Sequence, residues 1–302
     1  MSTIERAAAR LGSIGKARTE PTVAVGPDQV ADEPVALDAV ERQVESSVAD
    51  SLRGGYCELD LESLANRGFV SAGNTHTEIS ADLRRIKRPL LLSIKHAESR
   101  RETSPPPNLV LITSSLPGEG KTFVSINLAL SLAAEVDGTV LLVDADVAKG
   151  DVARVLDIPV NRGLSDLLQE PAAFAETAVM QTNVPSLSIM LAGQPLPNVD
   201  ELFASERMTQ LLNDLAAYDS NRIVVIDGPP LHAGTEASVL ARMVGQVVVL
   251  VEADKTPQST VTEALQQLQG CASVSLVLNK ARRRASERGV YGYGYGYGGA
   301  GN

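Results

Sequence analysis

Six short aliphatic runs alternate with segments of helical period, and this pattern limits the fold more than any other feature of the chain. The runs are Leu109–Thr113, Thr139–Val143, Leu187–Leu191, Ile223–Ile226, Val247–Val251 and Val274–Leu278. Between several of them, Lys121–Val136, Val199–Ala217, Thr235–Val244 and Gln258–Gln269 carry apolar residues at helical spacing. A strand that is apolar throughout must be covered on both faces, and strands separated by helices pair in parallel. The pattern predicts one α/β domain over residues 78–281, with a mostly parallel sheet covered by helices on both faces.

The segments outside that span differ in kind. From Glu20 to Asn66 the sequence has eleven acidic residues against two basic ones, with Pro21, Pro27 and Pro34 interspersed. Such a composition cannot bury enough apolar surface to fold alone, so residues 1–77 are expected to form a largely disordered acidic arm after a short amphipathic start (Ile4, Ala7, Ala8, Leu11). From Asp82 to Arg101 the balance reverses to seven basic against two acidic. Leu83, Ile86, Leu90, Leu91 and Ile94 recur there at helical spacing, predicting a basic amphipathic helix that Pro89 kinks or splits. At the other end, residues 282–302 run from Arg282-Arg283-Arg284 into alternating Gly and Tyr, a flexible tail with no aliphatic face to bury. Tyrosine is distributed oddly: of six in the chain, Tyr291, Tyr293, Tyr295 and Tyr297 sit in that tail.

Composition excludes several classes. A formal net charge of −10 argues against a nucleic-acid partner. Cys57 and Cys271 have no metal-ligand spacing and read as incidental thiols of a reducing compartment. No stretch approaches the roughly 20 apolar residues of a membrane helix, and the start lacks a signal-peptide core, so the expectation is a cytoplasmic protein.

The chemistry is carried by Ser115-Leu116-Pro117-Gly118-Glu119-Gly120-Lys121-Thr122, which follows one predicted strand and opens a helix. Gly118 and Gly120 allow backbone N–H groups to converge on phosphate oxygens at a helix N-terminus. Lys121 is placed to reach the β- and γ-phosphates, and the Thr122 hydroxyl to ligate Mg²⁺. Ser115 stands where that pattern begins with Gly. With this loop the predicted α/β layers become the three-layer fold of a P-loop NTPase. Two further strands end in carboxylates, at Asp144-Ala145-Asp146 and at Asp227-Gly228-Pro229-Pro230. Beside a triphosphate they are expected to hold Mg²⁺ directly or through water, Asp144 and Asp227 above all; the plainer alternative is a turn or helix-cap role for each. Pro117 to Phe123 make up the candidate nucleotide-binding segment. The last strand ends Asn279-Lys280-Ala281-Arg282, with Arg where a guanine reader carries Asp, so ATP is favoured and Asn279 is a candidate contact to the adenine edge.

These residues together resemble the bacterial tyrosine kinases, P-loop autokinases of polysaccharide synthesis and export. The resemblance rests on Leu116 to Thr122, the Asp-x-Asp and Asp-x-Pro-Pro strand ends and the tyrosine-rich tail, and is strongest toward the exosortase-associated branch, which Met1 to Arg6, Gly118 to Phe123 and Val247 to Lys255 with the Tyr-Gly tail resemble. It implies roles for the matching positions: Gly118 to Thr122 as the nucleotide loop, Asp144, Asp146 and Asp227 as the two aspartate motifs, and Tyr291, Tyr293, Tyr295 and Tyr297 as phosphoacceptors. Lys121 and the three aspartates would be catalytic, with Asp146 the first candidate for proton acceptor and Asp144 the second. The resemblance also implies ATP and Mg²⁺, self-association with tail phosphorylation between copies, a membrane-embedded polysaccharide co-polymerase-type activator that holds the protein at the inner membrane, and an opposing tyrosine phosphatase. Some positions depart from the family pattern. Ala148, followed by Lys149, replaces an Arg; a self-association motif appears as Ala81-x-x-Arg84-x-x-Lys87; and Glu236 stands where Asp is expected. The main alternative is a nucleotide-switched dimeric ATPase of the partitioning type, but Leu116 replaces its second lysine and such proteins have no use for repeated tyrosines. Paired cysteines for an iron–sulfur reductase are absent from the pattern. A scaffold that uses the tail for stacking is the third class considered.

Overall fold

The structure is a computed structural model and describes residues 54–70, 78–99, 104–134, 138–219 and 221–281. The expected acidic residues before 54 and the tail after 281 lie outside the described residues. Eight strands form one sheet: β1 (Tyr56–Cys57), β2 (Leu109–Ser114), β3 (Val140–Asp144), β4 (Val179–Thr182), β5 (Leu187–Met190), β6 (Ile223–Asp227), β7 (Gln246–Glu252) and β8 (Val274–Asn279). Their order is β1-β4-β5-β3-β6-β2-β7-β8, and every neighbouring pair is parallel except β4 with β5. The described helices are α1 (Leu61–Asn66), α2 (Glu78–Ser99), α3 (Lys121–Ala133), α4 (Asp151–Leu156), α5 (Leu164–Gln169), α6 (Val199–Phe203), α7 (Glu206–Ala217), α8 (Glu236–Met243) and α9 (Gln258–Gln267).

Alternation along each central strand divides its side chains between two cores. Leu109 and Leu111 of β2 face one layer, with Leu141, Val224, Phe203, Met208 and Leu240. Val110 and Ile112 face the other, with Leu142, Val225, Val124, Leu128, Leu90 and Ile94. This is the expected three-layer arrangement. The edge strand β8 departs from it: Leu276 is 51% and Leu278 64% exposed, and β8 pairs on one side only, with β7.

Several boundaries move for identifiable reasons. Residues 54–70, assigned above to the acidic arm, join the domain. Gly54 N–H bonds to Val179 O at 3.0 Å, β1 pairs with β4, and Leu59, Leu64 and Phe69 are buried. That stretch holds enough apolar residues to pack, although its net charge is acidic. The predicted helix Val199–Ala217 is two helices, because Ser205 adopts extended backbone angles and its hydroxyl accepts from Met208 N–H, capping the second. Pro89, in contrast, does not split α2, which runs through it for 22 residues. Within α2, Lys87 is 1% exposed and donates to Ser131 O and Oγ on α3, so the last position of the Ala81/Arg84/Lys87 motif faces inward. Among the described residues no helix is long and apolar enough to cross a membrane. Cys57 and Cys271 are free thiols.

Candidate active site

The site forms where β2, β3, β6 and β7 end side by side. Parallel register sets Asp144 directly beside Asp227 and brings Ile112 level with Asp227. The loop leaving β2 turns over these ends. Gly118 at φ 84° and Gly120 at φ 99° hold the left-handed conformations that let its amides converge, and α3 begins at Lys121 with Gly120 as its N-cap.

Asp227 is fully buried on the floor of the site. Ser125 Oγ, one turn into α3, donates to its Oδ1 at 2.9 Å, while Oδ2 has no hydrogen-bond partner. Burial pushes its pKa up from 3.8 to about 6, against the opposing pull of the Thr122 and Ser125 hydroxyls and the Lys121 ammonium. Asp144 is used differently. Its Oδ1 accepts from Asp146 N–H at 3.1 Å and its Oδ2 from Val152 N–H at 3.0 Å, so it shapes the turn into α4. Burial, and then the charge of Asp227, hold its carboxyl well above the ordinary range despite those two bonds. Asp146 leaves the sheet and lies 3.8 Å from Lys121 Nζ, both side chains more than nine-tenths buried. Burial raises its pKa too, while Lys121 and Lys149 lower it.

Asp146 also lines a cleft of about 350 Å³ with Ala148, Asp200, Glu201, Pro229 and Glu236 among its walls. Burial raises the Glu236 carboxyl, and Asp200 beside it adds to the effect. A buried carboxylate oxygen without a donor, next to a hydroxyl and a nest of amides, suits a divalent cation held with phosphate. Asp227 Oδ2 and the Thr122 hydroxyl meet that description, and Asp144 lies beside Asp227 in the sheet register.

No protein-family model matches the chain. It is 34% identical over 174 residues to the putative tyrosine-protein kinase CapB of Staphylococcus aureus, covering 57% of this chain and 74% of that one. With the tyrosine-protein kinase YwqD of Bacillus subtilis it shares 34% over 187 residues, 61% of this chain and 77% of the relative. The chain belongs to the bacterial tyrosine-protein kinases. Solved kinase domains carry the same fold: that of VpsO at 30% identity and TM-score 0.54, covering 66% of this kinase and 98% of VpsO's, and that of Escherichia coli Etk at 25% and 0.53, covering 78% and 98%. Full-length Etk is matched over 228 residues, 30% of its length.

Of the expected site residues, Lys121, Thr122, Asp144, Asp146 and Asp227 converge in this kinase. Two others are turned to a structural use. The Glu119 side chain is 2% exposed and points away from the loop's concave side, accepting from Leu116 N–H at 2.7 Å, from Glu252 N–H at 3.1 Å and from the Thr256 hydroxyl. Asn279 Nδ2 donates to Glu119 O at 2.7 Å, so its amide supports the phosphate loop. Phe123 packs against Phe69 with ring centroids 4.9 Å apart and the rings tilted by 46°, anchoring the start of α3 to the segment after α1. The four tail tyrosines lie outside the described residues. Sequence reasoning missed Ser125, Glu252, Thr256 and Asp200. Only Ser125 left a trace, four residues after Lys121 on the same helix face.

Proposed function

We propose that this kinase transfers the ATP γ-phosphoryl group to tyrosine hydroxyls, and that Tyr291, Tyr293, Tyr295 and Tyr297 of a neighbouring copy are its acceptors. The observation that carries the reading is the Lys121–Asp146 pair at 3.8 Å, with Asp146 lining the cleft. That arrangement sets a phosphate-binding cation and a proton acceptor next to space for an incoming side chain. Backbone amides of Gly118 to Thr122 hold the phosphates, and Lys121 draws charge from the γ-phosphoryl as it moves. Bound Mg²⁺, held by Thr122 and Asp227 with Asp144 beside them, would supply further neutralisation of phosphate charge. In the transfer the bond from γ-phosphorus to the ADP oxygen breaks as the bond to the phenol oxygen forms. The phenol proton, with an ordinary pKa of about 10, passes late to Asp146. A carboxylate whose basicity is raised by burial accepts that proton better than an exposed one.

Each added phosphate brings about −1.5 to −2 charges, so modification turns a mildly basic tail strongly acidic and repels it from an acidic site. That would make tail phosphorylation a switch on assembly, the setting being polysaccharide export with a membrane-embedded activator and a counteracting phosphatase. The tail and the start of the chain favour the exosortase-associated branch. The test is incubation of the purified full chain with Mg-ATP, followed by phosphotyrosine detection. Signal is expected from the native chain and is lost in Lys121→Ala and when all four tail tyrosines become Phe. A silent native chain overturns the reading, and signal that survives Lys121→Ala identifies a contaminant.

A further inference from the structure

Two side chains at the end of β8 grip the phosphate loop by its carbonyls. Asn279 Nδ2 donates to Glu119 O at 2.7 Å, and Lys280 Nζ donates to Gly118 O at 2.7 Å. In a trans peptide the C=O and the following N–H point in opposite directions. A side chain that holds the Gly118 carbonyl on the outside of the loop therefore aims the Glu119 N–H inward, and the grip on the Glu119 carbonyl aims the Gly120 N–H. These amides belong to the nest that receives phosphate. The fit is close: a Cβ built on Gly120 would collide with Asn279 Nδ2.

The grip is itself anchored. Lys280 adopts φ 56°, a conformation unfavourable for a residue with a side chain, and its ammonium also meets Glu252 Oε2 at 3.1 Å. Lys280 and then Lys255 hold the Glu252 carboxyl below its ordinary range. The Glu252 N–H in turn bonds the Glu119 carboxylate at 3.1 Å, and that carboxylate reaches back to Leu116 N–H at the loop's start. We propose that Asn279 and Lys280 are positioning residues that orient the phosphate-binding amides, with Glu119 as the strut tying loop and strand ends together. The inference builds on the nucleotide site of the proposed function. It replaces the adenine-edge role expected for Asn279 with one that does not depend on the base.

The experiment measures calorimetric dissociation constants of the full chain for ADP and for inosine diphosphate. Asn279→Asp keeps the shape but exchanges donor for acceptor; Lys280→Met removes the charge at similar length; Lys280→Arg restores a donor. The first two variants are expected to weaken both diphosphates equally, by about tenfold, and the Arg variant to stay within about threefold of native. Two results overturn the proposal: unchanged affinities in Asn279→Asp and Lys280→Met, or an Asn279→Asp that loses ADP but keeps inosine diphosphate, the signature of a base contact. Should Asn279→Asp fail to fold, the Lys280 pair decides, since a loss that Arg does not rescue also overturns it. A native chain that binds ADP with these dependences yet never labels tyrosine sinks the kinase reading and leaves the positioning role standing.

Discussion

Replacing Asp227 by Asn tests the electrostatics of the site floor. The carboxyl is buried, one oxygen has no partner, and its pKa rises from 3.8 to about 6. An acid whose pKa is raised on folding contributes its full stability below the unfolded value and loses it as pH climbs through the folded one, here between about pH 4 and 6. At about 1.4 kcal/mol per pH unit, burying the charged form costs the native protein about 3 kcal/mol above that window. Asn carries no charge, keeps a neutral version of the Ser125 bond at a loss of about 1 kcal/mol, and turns an NH₂ toward the Thr122 hydroxyl, which accepts. The net expectation is a nucleotide-free Asp227→Asn protein about 2 kcal/mol more stable than native at pH 8, with no advantage at pH 4. For a domain of this size that corresponds to a melting temperature about 4–8 °C higher. Thermal melts of both proteins from pH 4 to 8, in EDTA and without nucleotide, give the difference directly. A difference that does not grow with pH refutes the reasoning, as does a variant that melts below native at pH 8.

Other consequences follow from the same geometry. Mg²⁺ added with ATP is expected to raise the melting temperature of the native chain more than ATP in EDTA does, and to lose that extra increment in Asp227→Asn. Glu119→Gln keeps one accepting oxygen for Glu252 N–H and Thr256 but turns an NH₂ against Leu116 N–H, and is expected to cost about 1–3 kcal/mol in urea unfolding, with Thr256→Val costing about 1. Lys87→Ala removes a buried stem and its bonds to Ser131; it is expected to destabilise by about 2–4 kcal/mol while leaving the ADP dissociation constant within about twofold. Phe203→Ala is expected to cost about 3–5 kcal/mol by chemical denaturation, since the ring is 1% exposed in the core.

The central sheet was legible because each of its strands is buried on both faces and therefore apolar throughout. β4 escaped notice because Val179–Thr182 is four residues long with polar Gln181 and Thr182 at its end. Six-residue helices such as α4 and α5 span under two turns, too short to establish a period. The phosphate loop was legible because Gly118, Gly120 and Lys121 fall within one turn between a strand and a helix, and the aspartates because Asp144 and Asp227 each directly follow an apolar run. The grip of Asn279 and Lys280 on Gly118 and Glu119 was not, because it joins residues about 160 apart in sequence and depends on β8 lying next to β7. Asp144 shows the limit from the other side: its place at the strand end was readable, but its engagement with Val152 N–H required the turn into α4.

Lys280 gives the tail a fixed point of departure. Its ammonium rests on the phosphate loop, and Tyr291 follows eleven residues later. Fully extended, that length spans at most about 40 Å. Each chain therefore holds its own Tyr291 on a leash of that length from its own phosphate loop, and a leash so short sustains a local concentration in the millimolar range. A neighbouring chain has to compete with that standing excess. The transfer between copies proposed above therefore requires labelling per chain that falls in proportion to dilution, and labelling indifferent to dilution assigns the transfer to the leash and overturns it.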